Sequence, residues 1–451
     1  MQVVYSHCCG LDVHKRLIVA CLVITHPDGT VQQETRSFGA TTAELLRLLA
    51  WLQAEHCTIV AMESTGVYWR PVFNILEDHL QVIVVNPAHM HQVPGRKTDV
   101  NDAMWIADLL RHGLLHASFI PPLAQREVRE LTRHRTILLQ DRARFANRLE
   151  RILEDTNIKL SSVVSDLLGV SARAMLTALL AGQTDPVVLA RLARGRLRDK
   201  REALEEALVG IIKPHQRFLL VECLGALDFF DDAIARVDEE IAQRLRPYEA
   251  DLARLDSIPG VGRRTAEIIM AEVGMSIDRF PSARHLAAWA GIAPGNHESA
   301  GKRIKGRIRY GNHWLRHALI EAGHAAAKSK HTYLAAQYGR LRARRGGKKA
   351  VVAVGHSILV IAYHLLRRGE YYRDLGATYF DQRDRQAVER RLIKRLETLG
   401  YTVELQPSTE QCEEAGREAA RRAAEFDLAK KRLPLTWQPG QSVPRDRGPS
   451  G

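Results

Sequence analysis

The sequence predicts an α/β sheet domain at the N-terminal end, followed by a long helical arm and an all-α domain. Short apolar segments alternate with amphipathic helical patterns up to about residue 124. Long charged helical patterns then run from Gln125 to about Tyr248, and compact helical patterns fill Leu252 to Leu366. Strands that alternate with helices are typical of α/β sheet domains, whereas unbroken helical periodicity is typical of all-α regions.

The first region carries strand patterns that are rich in β-branched and apolar residues. Strands are predicted at Gln2–Tyr5, Leu17–Thr25, Val31–Ser37, Thr58–Met62 and Val82–Val85. Helices are predicted at Thr41–Ala54, with Thr41 or Thr42 as the N-cap, and at Val67–Leu80.

The arm contains an apolar repeat of seven residues. The repeat consists of Leu131, Leu138, Phe145 and Ile152. The alternate heptad positions are mostly polar, so the pattern predicts one apolar seam rather than a regular coiled coil. Pairing between subunits and a hairpin within one chain both fit this pattern.

The composition favours a polyanionic partner. The 451 residues include 65 Lys and Arg against 52 Asp and Glu, a formal net charge of +13, and 45% are hydrophobic. This hydrophobic share excludes the class of disordered basic tail proteins. The positive charge favours nucleic acid as the partner. The six cysteines form no CxxC pair, so we expect that the protein has no disulfide framework and is located in a reducing cytoplasm. No signal peptide is recognised, and Ala350–Leu366 is interpreted as a buried core helix rather than a membrane span.

Four acids could converge on one pocket. Asp12 follows the first predicted strand, Glu63 follows the strand TIVAM, and Asp99 and Asp102 lie three residues apart where a helix opens. Carboxylates that meet repel one another, and Mg²⁺ or Mn²⁺ relieves that repulsion through oxygen ligands. The alternative for each acid is a helix cap or a solvated surface group.

The segment SIPGVGRR predicts a helix-hairpin-helix motif. Gly260 and Gly262 would allow backbone N–H groups to approach a phosphate, with Arg263 beside them. An ordinary tight turn between two helices is the alternative.

A basic loop follows, with Ser299 as a candidate nucleophile because neighbouring cations would stabilise its alkoxide. An ordinary loop serine is the alternative. The cations expected to track a phosphate backbone are Lys302, Arg303, Lys305, Arg307, Arg309 and Arg316. Residues 340–349 add further basic side chains for phosphate contact.

The ordered motifs GLDVHK, AMESTG, GRKTDVNDA, SIPGVG, PGNHESAGK and GNHWLR resemble the DEDD transposases of bacterial insertion sequences in the "one-ten" family. The resemblance covers roughly residues 3–366. It implies a RuvC-like (RNase H-like) sheet domain in which Asp12, Glu63, Asp99 and Asp102 bind Mg²⁺ or Mn²⁺. It also implies that Ser299 becomes linked to a strand of the donor or target double-stranded DNA.

Assembly and partners are further implications of this resemblance. A homodimer or homotetramer would bring the serine of one subunit to the acids of another, and a structured bridge RNA would guide the protein. No membrane partner is expected, and the protein would act on DNA in the bacterial cytoplasm, at the nucleoid. Two rivals remain: a hydrolytic RuvC-like nuclease in which Ser299 is only a loop residue, and a non-catalytic DNA-binding protein.

Five regions are predicted from these patterns. They are a catalytic domain (1–124), a helical arm for dimerisation (125–250), a helical transposase domain (251–370), a helical C-terminal extension (371–432) and a disordered tail (433–451). The extension is expected to contain a helix and a short strand within 370–406, then a charged helix at Ser408–Arg432.

Overall fold

The computed structural model describes residues 2–64, 66–86, 102–293, 297–299, 302–304, 310–383 and 385–404, with only the backbone of 297–299 and 302–304. The chain divides into two compact units. The first comprises residues 1–326 and 351–372, and the second comprises 327–350 and 373–451. The finer five-part division remains a prediction.

The first unit opens with a mixed α/β region. Its strands are β1 (His7–Val13), β2 (Leu17–Thr25), β3 (Val31–Gly39), β4 (Ile59–Glu63) and β5 (Gln81–Val85). Its helices are α1 (Thr42–Ala54), α2 (Trp69–Leu76) and α3 (Asp102–Arg111). The strands form one sheet in the order β3-β2-β1-β4-β5. β1, β2 and β3 pair antiparallel, whereas β4 is parallel to both β1 and β5.

Both faces of β1 are covered, because side chains alternate between the faces of a strand. Cys9 and Leu11 contribute to the core that includes α1 and α2. Cys8 contributes to the opposite core, together with Ala103 and Ala107 of α3. A sheet that is buried on both faces explains why β1 and β4 have nearly continuous buried residues.

The predicted first strand at Gln2–Tyr5 is wrong. The first strand is β1, and the backbone N–H groups of Val4 and Tyr5 instead donate to the carbonyl of Arg111 at the end of α3. Asp12 therefore lies within a strand rather than after it, and Glu63 is the last residue of β4. The other predicted strands and both predicted helices are present, and Thr41 occupies the N-cap of α1.

The arm region is helical. Its elements are α4 (Leu123–Asp155), α5 (Leu160–Val163), α6 (Val170–Leu180), α7 (Pro186–Ala190), α8 (Arg201–Ala207) and α9 (Pro214–Leu245). The apolar seam of α4 packs within the chain, since Leu138 forms a core cluster with Ala233 and Ile234 of α9. Of the two arrangements that the sequence left open, the structure contains the hairpin within one chain.

More helices and a short hairpin follow. They are α10 (Glu249–Asp256), α11 (Arg263–Val273), α12 (Ala283–Trp289), β6 (His297–Ser299), β7 (Lys302–Ile304), α13 (His313–Lys328), α14 (Tyr333–Arg345) and α15 (Gly347–Arg368). Within the first unit, a Cβ on Gly323 would lie 2.9 Å from the Val351 carbonyl, so this glycine permits close helix packing. α15 is long and apolar enough to cross a membrane, yet Val354 and Ile358 are fully buried, as expected of a core helix.

The second unit contains α14 together with α16 (Tyr379–Arg383) and α17 (Arg385–Thr398). The Tyr333 ring stacks on Phe380 with centroids 5.0 Å apart, and Arg340 pairs with Asp381. The short strand predicted within 370–406 is not formed in the described part of that range, which ends at residue 404. The predicted helix at Ser408–Arg432 and the predicted tail lie outside the described residues.

Candidate functional site

Asp12 and Glu63 lie side by side on neighbouring strands. β1 and β4 are parallel, and Leu11 is opposite Met62, so Asp12 and Glu63 follow as the next positions of the same register. Adjacent strands are about 4.8 Å apart, and residues in register point to the same face of a sheet. Both carboxylates therefore belong to the carboxyl edge of the two strands, on the face that α3 covers.

The first turn of α3 lies close to this edge. A Cβ on Gly10 would lie 2.2 Å from the Ala103 carbonyl oxygen, so only glycine allows α3 to approach β1 this closely. The far end of α3 contacts the residues before β1, through the Arg111 carbonyl. α3 therefore runs opposite to β1, and its first residue, Asp102, lies toward the end of the strand that carries Asp12.

The environments of the three acids differ. The Asp12 side chain is 26% exposed, and Oδ2 accepts a hydrogen bond from Nε2 of His14 at 3.0 Å. Glu63 is half-buried, whereas Asp102 is exposed at the start of α3, where the helix dipole stabilises an anion. His14 was not predicted as a site residue, and its spacing from Asp12 gives no specific signal.

The fourth predicted acid, Asp99, lies outside the described residues. Among the residues that are described, no group of three or more His, Cys, Asp or Glu side chains is placed to hold a metal ion. The three acids are hard oxygen donors of the kind that Mg²⁺ and Mn²⁺ prefer. The donor chemistry therefore fits such an ion, but the described acids alone do not form a complete ligand set.

The loop that contains Ser299 is anchored at its base. Ser299 ends β6 and pairs with Lys302, the first residue of β7, while Arg303 follows in the same strand. A Cβ on Gly311 would lie 2.4 Å from the backbone nitrogen of Gly291, so the chain enters and leaves this segment at one point. Lys305, Arg307 and Arg309 lie outside the described residues.

A fully buried carboxylate fixes the end of this segment. Asn312 donates through Nδ2 to Glu272 at 2.6 Å, and Arg133 of α4 donates to the same carboxylate at 2.7 and 2.9 Å. Arg129 of α4 also pairs with Glu272, at 3.2 Å. Glu272 thus connects the arm, α11 and the start of α13.

The predicted helix-hairpin-helix glycines have different surroundings. Gly260 has a φ of +88°, and a Cβ there would lie 2.4 Å from the Ala322 carbonyl oxygen, so packing against α13 requires glycine. Gly262 is the N-cap of α11 with extended backbone, and a Cβ there would meet open space. This turn lies between α10 and α11, and both the helix-hairpin-helix motif and phosphate binding by the turn stay predictions.

Carboxylates hold the Arg263 guanidinium. Glu249 accepts from both Nη atoms, and Glu267 accepts from Nε at 2.8 Å. The hydrogen bonds to Glu249 raise the pKa of Arg263 above its ordinary value. Contact with a phosphate would therefore compete with these ion pairs.

Arg316 lines a cavity of about 350 Å³ between α4 and α13. Its other lining residues are Thr136, Gln140, His313, Trp314, His317 and Ile320. Of the cations predicted to contact DNA, the structure describes the side chains of Arg263 and Arg316. Arg263 is held in ion pairs, whereas Arg316 faces this cavity. Its position at the first turns of α13, directly after the basic segment, is compatible with phosphate contact.

Two features escaped sequence reasoning because they depend on residues far apart in the chain. Arg135 is buried and pairs with Asp238 and Glu267. Arg279 lies among aromatic rings that come from separate segments. No spacing rule predicts either arrangement.

Two family models match the chain. One is described as "Transposase" and covers residues 9–158, and the other is described as "Transposase IS116/IS110/IS902 family" and covers residues 252–339. The first begins within β1 and includes the rest of the sheet and all of α4, and the second begins within α10 and ends within α14.

Several known proteins are similar to the chain. A transposase for insertion sequence element IS1111A from Coxiella burnetii is 28% identical over 321 residues, which is 70% of this chain and 79% of that protein. A pilin gene-inverting protein from Moraxella lacunata is 26% identical over 382 residues, covering 80% of this chain and 95% of that protein. An insertion element IS110 protein of 43.6 kDa from Streptomyces coelicolor is 29% identical over 305 residues, covering 62% and 73%.

Proposed function

The chain belongs to the IS110/IS116/IS902 family of transposases, and from this membership we propose that it cuts and rejoins DNA through a covalent serine intermediate. Its relatives carry the names of transposases and of pilin gene-inverting proteins, and both names describe DNA recombination. The observation that carries the mechanism is the adjacent placement of Asp12 and Glu63 at the ends of two parallel strands.

We propose that Asp12, Glu63, Asp99 and Asp102 hold Mg²⁺ or Mn²⁺. When bound, such an ion polarises a phosphodiester and stabilises negative charge on the attacking and leaving oxygens. The order β3-β2-β1-β4-β5 and the acids at the strand ends support an RNase H-like fold for this domain.

We propose Ser299 as the nucleophile. Its Oγ attacks phosphorus, the bond from phosphorus to one bridging oxygen breaks, and the serine proton ends on the released DNA hydroxyl. A hydroxyl of another strand then attacks the phosphoserine, which restores the serine and forms a new phosphodiester. The number of phosphoester bonds is conserved, so rejoining needs no nucleotide triphosphate.

The acids and the basic segment have different roles in this proposal. Asp12 and Glu63 form a rigid edge because β1 and β4 are buried in the core, and a fixed edge costs no reorganisation during reaction. Lys302, Arg303, Lys305, Arg307 and Arg309 would hold the phosphate backbone near Ser299. The buried contact between Asn312 and Glu272 would keep the end of this segment in place.

Denaturing electrophoresis with labelled donor and target duplexes tests the function. We expect a covalent protein–DNA adduct that needs Mg²⁺ and disappears in Ser299→Ala, Asp12→Asn and Glu63→Gln. The exposed Glu239→Gln is the control and should retain the adduct.

The rival functions predict other outcomes of this experiment. A hydrolytic nuclease would cut DNA without an adduct, and Ser299→Ala would remain active. A non-catalytic DNA-binding protein would neither cut nor join, and Asp12→Asn would behave as the unmodified protein in every assay.

We further propose a guide RNA, and a homodimer or homotetramer that acts on DNA in the bacterial cytoplasm. The net charge of +13 supports a polyanionic partner but does not distinguish RNA from DNA. Sequencing the RNA that co-purifies with the protein tests guidance, because enrichment of a transcript from flanking DNA is expected. Light scattering with and without DNA measures the oligomeric state of the protein.

A further inference from the structure

Arg279 lies among three aromatic rings in the first unit. Its guanidinium carbon is 3.9 Å from the ring centroid of Phe119, 4.7 Å from that of Phe280 and 5.6 Å from that of Trp289. Phe119 follows Ser118, whose N–H donates to the β5 residue Val84 at 2.7 Å. The cluster therefore joins the edge of the sheet to the segment around α12.

The Arg279 charge has no anionic partner within the described part of the chain. It forms no ion pair or hydrogen bond there, and its Nη1 atom is shielded from solvent without an acceptor. Burial lowers the pKa of Arg279, and together with the smaller effect of the positive charge of Arg129 it brings this pKa to about 10. A shielded cation without a counter-charge is unfavourable, so this position is suited to an external anion.

The neighbourhood also has excess positive charge. Arg129 and Arg133 share the single carboxylate of Glu272, so this acid is not available to Arg279. Asp278 is next in sequence, but its carboxylate accepts from Ser276. An anion that approaches Arg279 would thus enter a positive electrostatic potential.

Two rings of the cluster are available to stack. Phe119 is 57% exposed and Trp289 is 37% exposed, whereas Phe280 is buried and supports Trp289 at a centroid distance of 5.4 Å. Exposed aromatic rings beside a cation match the two parts of an unpaired nucleotide, a base with a π face and a phosphate.

We propose that Arg279, Phe119 and Trp289 bind an unpaired nucleotide of single-stranded nucleic acid, with the phosphate on the guanidinium and the base stacked on an exposed ring. This inference rests on the proposed function, because exchange of strands requires unpaired nucleotides. Single-stranded DNA and RNA share this chemistry. The alternative is a structural role, in which the cation only holds the rings together.

Fluorescence anisotropy with a labelled strand of about 16 nucleotides tests the site. The protein carries Asp12→Asn so that no DNA is cut, and single-stranded DNA, single-stranded RNA and duplex of one sequence are compared. The test variants are Arg279→Gln and Trp289→Leu, with Trp289→Phe as the conservative change. Arg284→Gln removes an exposed cation of the neighbouring helix and is the matched control.

We expect Arg279→Gln and Trp289→Leu to weaken single-strand binding by about fivefold to a hundredfold. Arg279→Gln should also reduce the slope of log affinity against log salt by about 0.7, the value of one single-strand phosphate contact. Trp289→Phe and Arg284→Gln should bind nearly as the parent does. The melting temperature of Arg279→Gln should not fall, because the substitution removes a partly buried charge that has no counter-charge among the described residues.

Equal affinities of Arg279→Gln and Arg284→Gln would overturn the proposal. A fall in melting temperature with unchanged binding would establish the structural role instead. A loss of affinity for the duplex alone would also contradict the proposal. Comparison of single-stranded DNA with single-stranded RNA identifies which of the two is bound. None of these results alters the adduct assay, so this inference and the proposed function fail separately.

Discussion

Nη1 of Arg135 donates to Oε2 of Glu267 at 2.5 Å, and these side chains are only 1% and 5% exposed. The same nitrogen donates to Asp238 of α9 at 2.8 Å. One guanidinium on α4 therefore binds carboxylates of both α9 and α11. A buried ion pair contributes little relative to a well-packed apolar pair, but the loss of one partner leaves the other buried charge with less compensation.

Arg135→Met should therefore destabilise the protein. Glu267 and Asp238 lose their shared buried cation and keep only the more exposed Arg263 and Arg264, so we expect a loss of roughly 1.5–3 kcal/mol in the free energy of unfolding. Urea denaturation followed by circular dichroism measures the shift of the midpoint. Arg144→Met removes an arginine of the same helix that is 73% exposed, and it should cost less than about 1 kcal/mol. Equal midpoints for the two variants would refute the role of Arg135.

Gly10→Ala should disturb the acidic edge. Its Cβ would overlap the backbone of α3 at Ala103 and Ala107, so the helix must move away from β1. We expect a cost of about 1–3 kcal/mol and reduced DNA joining, because Asp102 moves with the helix. Thermal unfolding and the adduct assay measure both effects. Gly225→Ala, where the new Cβ meets open space within α9, should instead stabilise by about 0.5–1 kcal/mol.

Asn312→Asp should reduce DNA joining with little loss of fold. The carboxylate can still accept from the backbone N–H of Leu315, but it cannot donate to Glu272 and repels it. We expect joining to slow by about a hundredfold, as small displacements of reacting groups do. The rate of single-turnover joining and the melting temperature are measured for each variant. Asn312→Ser is the control, because its hydroxyl can accept from the Leu315 N–H and does not repel Glu272. If joining by Asn312→Asp matched the unmodified protein, the anchoring role would be wrong.

Glu249 should contribute stability that depends on pH. Hydrogen bonds from Arg263 lower the pKa of Glu249, so its folded pKa is below the unfolded value of about 4.3. The contribution is complete above the unfolded pKa and is lost as pH falls through the folded pKa. Glu249→Gln should therefore melt below the unmodified protein at neutral pH, and the difference in melting temperature should close as pH falls below the folded pKa of Glu249. Glu239→Gln, also exposed, should show no such gap, and a gap independent of pH would contradict this assignment.

Much of the fold could be predicted from the sequence because its elements depend on local patterns. β2, β3 and α1 have clear turns or caps at their ends, such as Gly29 with a φ of +86°. β1 was misplaced because Gly10 is a poor strand former, and because a strand that is buried on both faces lacks polar alternation.

The candidate site was only partly predictable. Positions at strand ends indicated that Asp12 and Glu63 would converge, since parallel strands bring their carboxyl ends to one edge. Glu272 and Arg279 gave no signal, because their partners come from distant segments and only packing selects them. Local sequence likewise could not show that packing against α13 requires Gly260 to be a glycine.

A switch in metal preference tests most directly whether Asp12 and Glu63 act on one metal ion. In Asp12→Cys and Glu63→Cys a soft thiolate replaces a hard oxygen ligand, which favours softer ions over Mg²⁺. Adduct formation is measured in Mg²⁺, Mn²⁺ and Mn²⁺ with Cd²⁺, with His14→Ala as the control. If Asp12 and Glu63 bind one metal ion, both cysteine variants are inactive in Mg²⁺ and partly restored by the softer ions, while His14→Ala keeps the Mg²⁺ preference of the unmodified protein. Full activity of either cysteine variant in Mg²⁺, or no restoration by any softer ion, would contradict this shared binding.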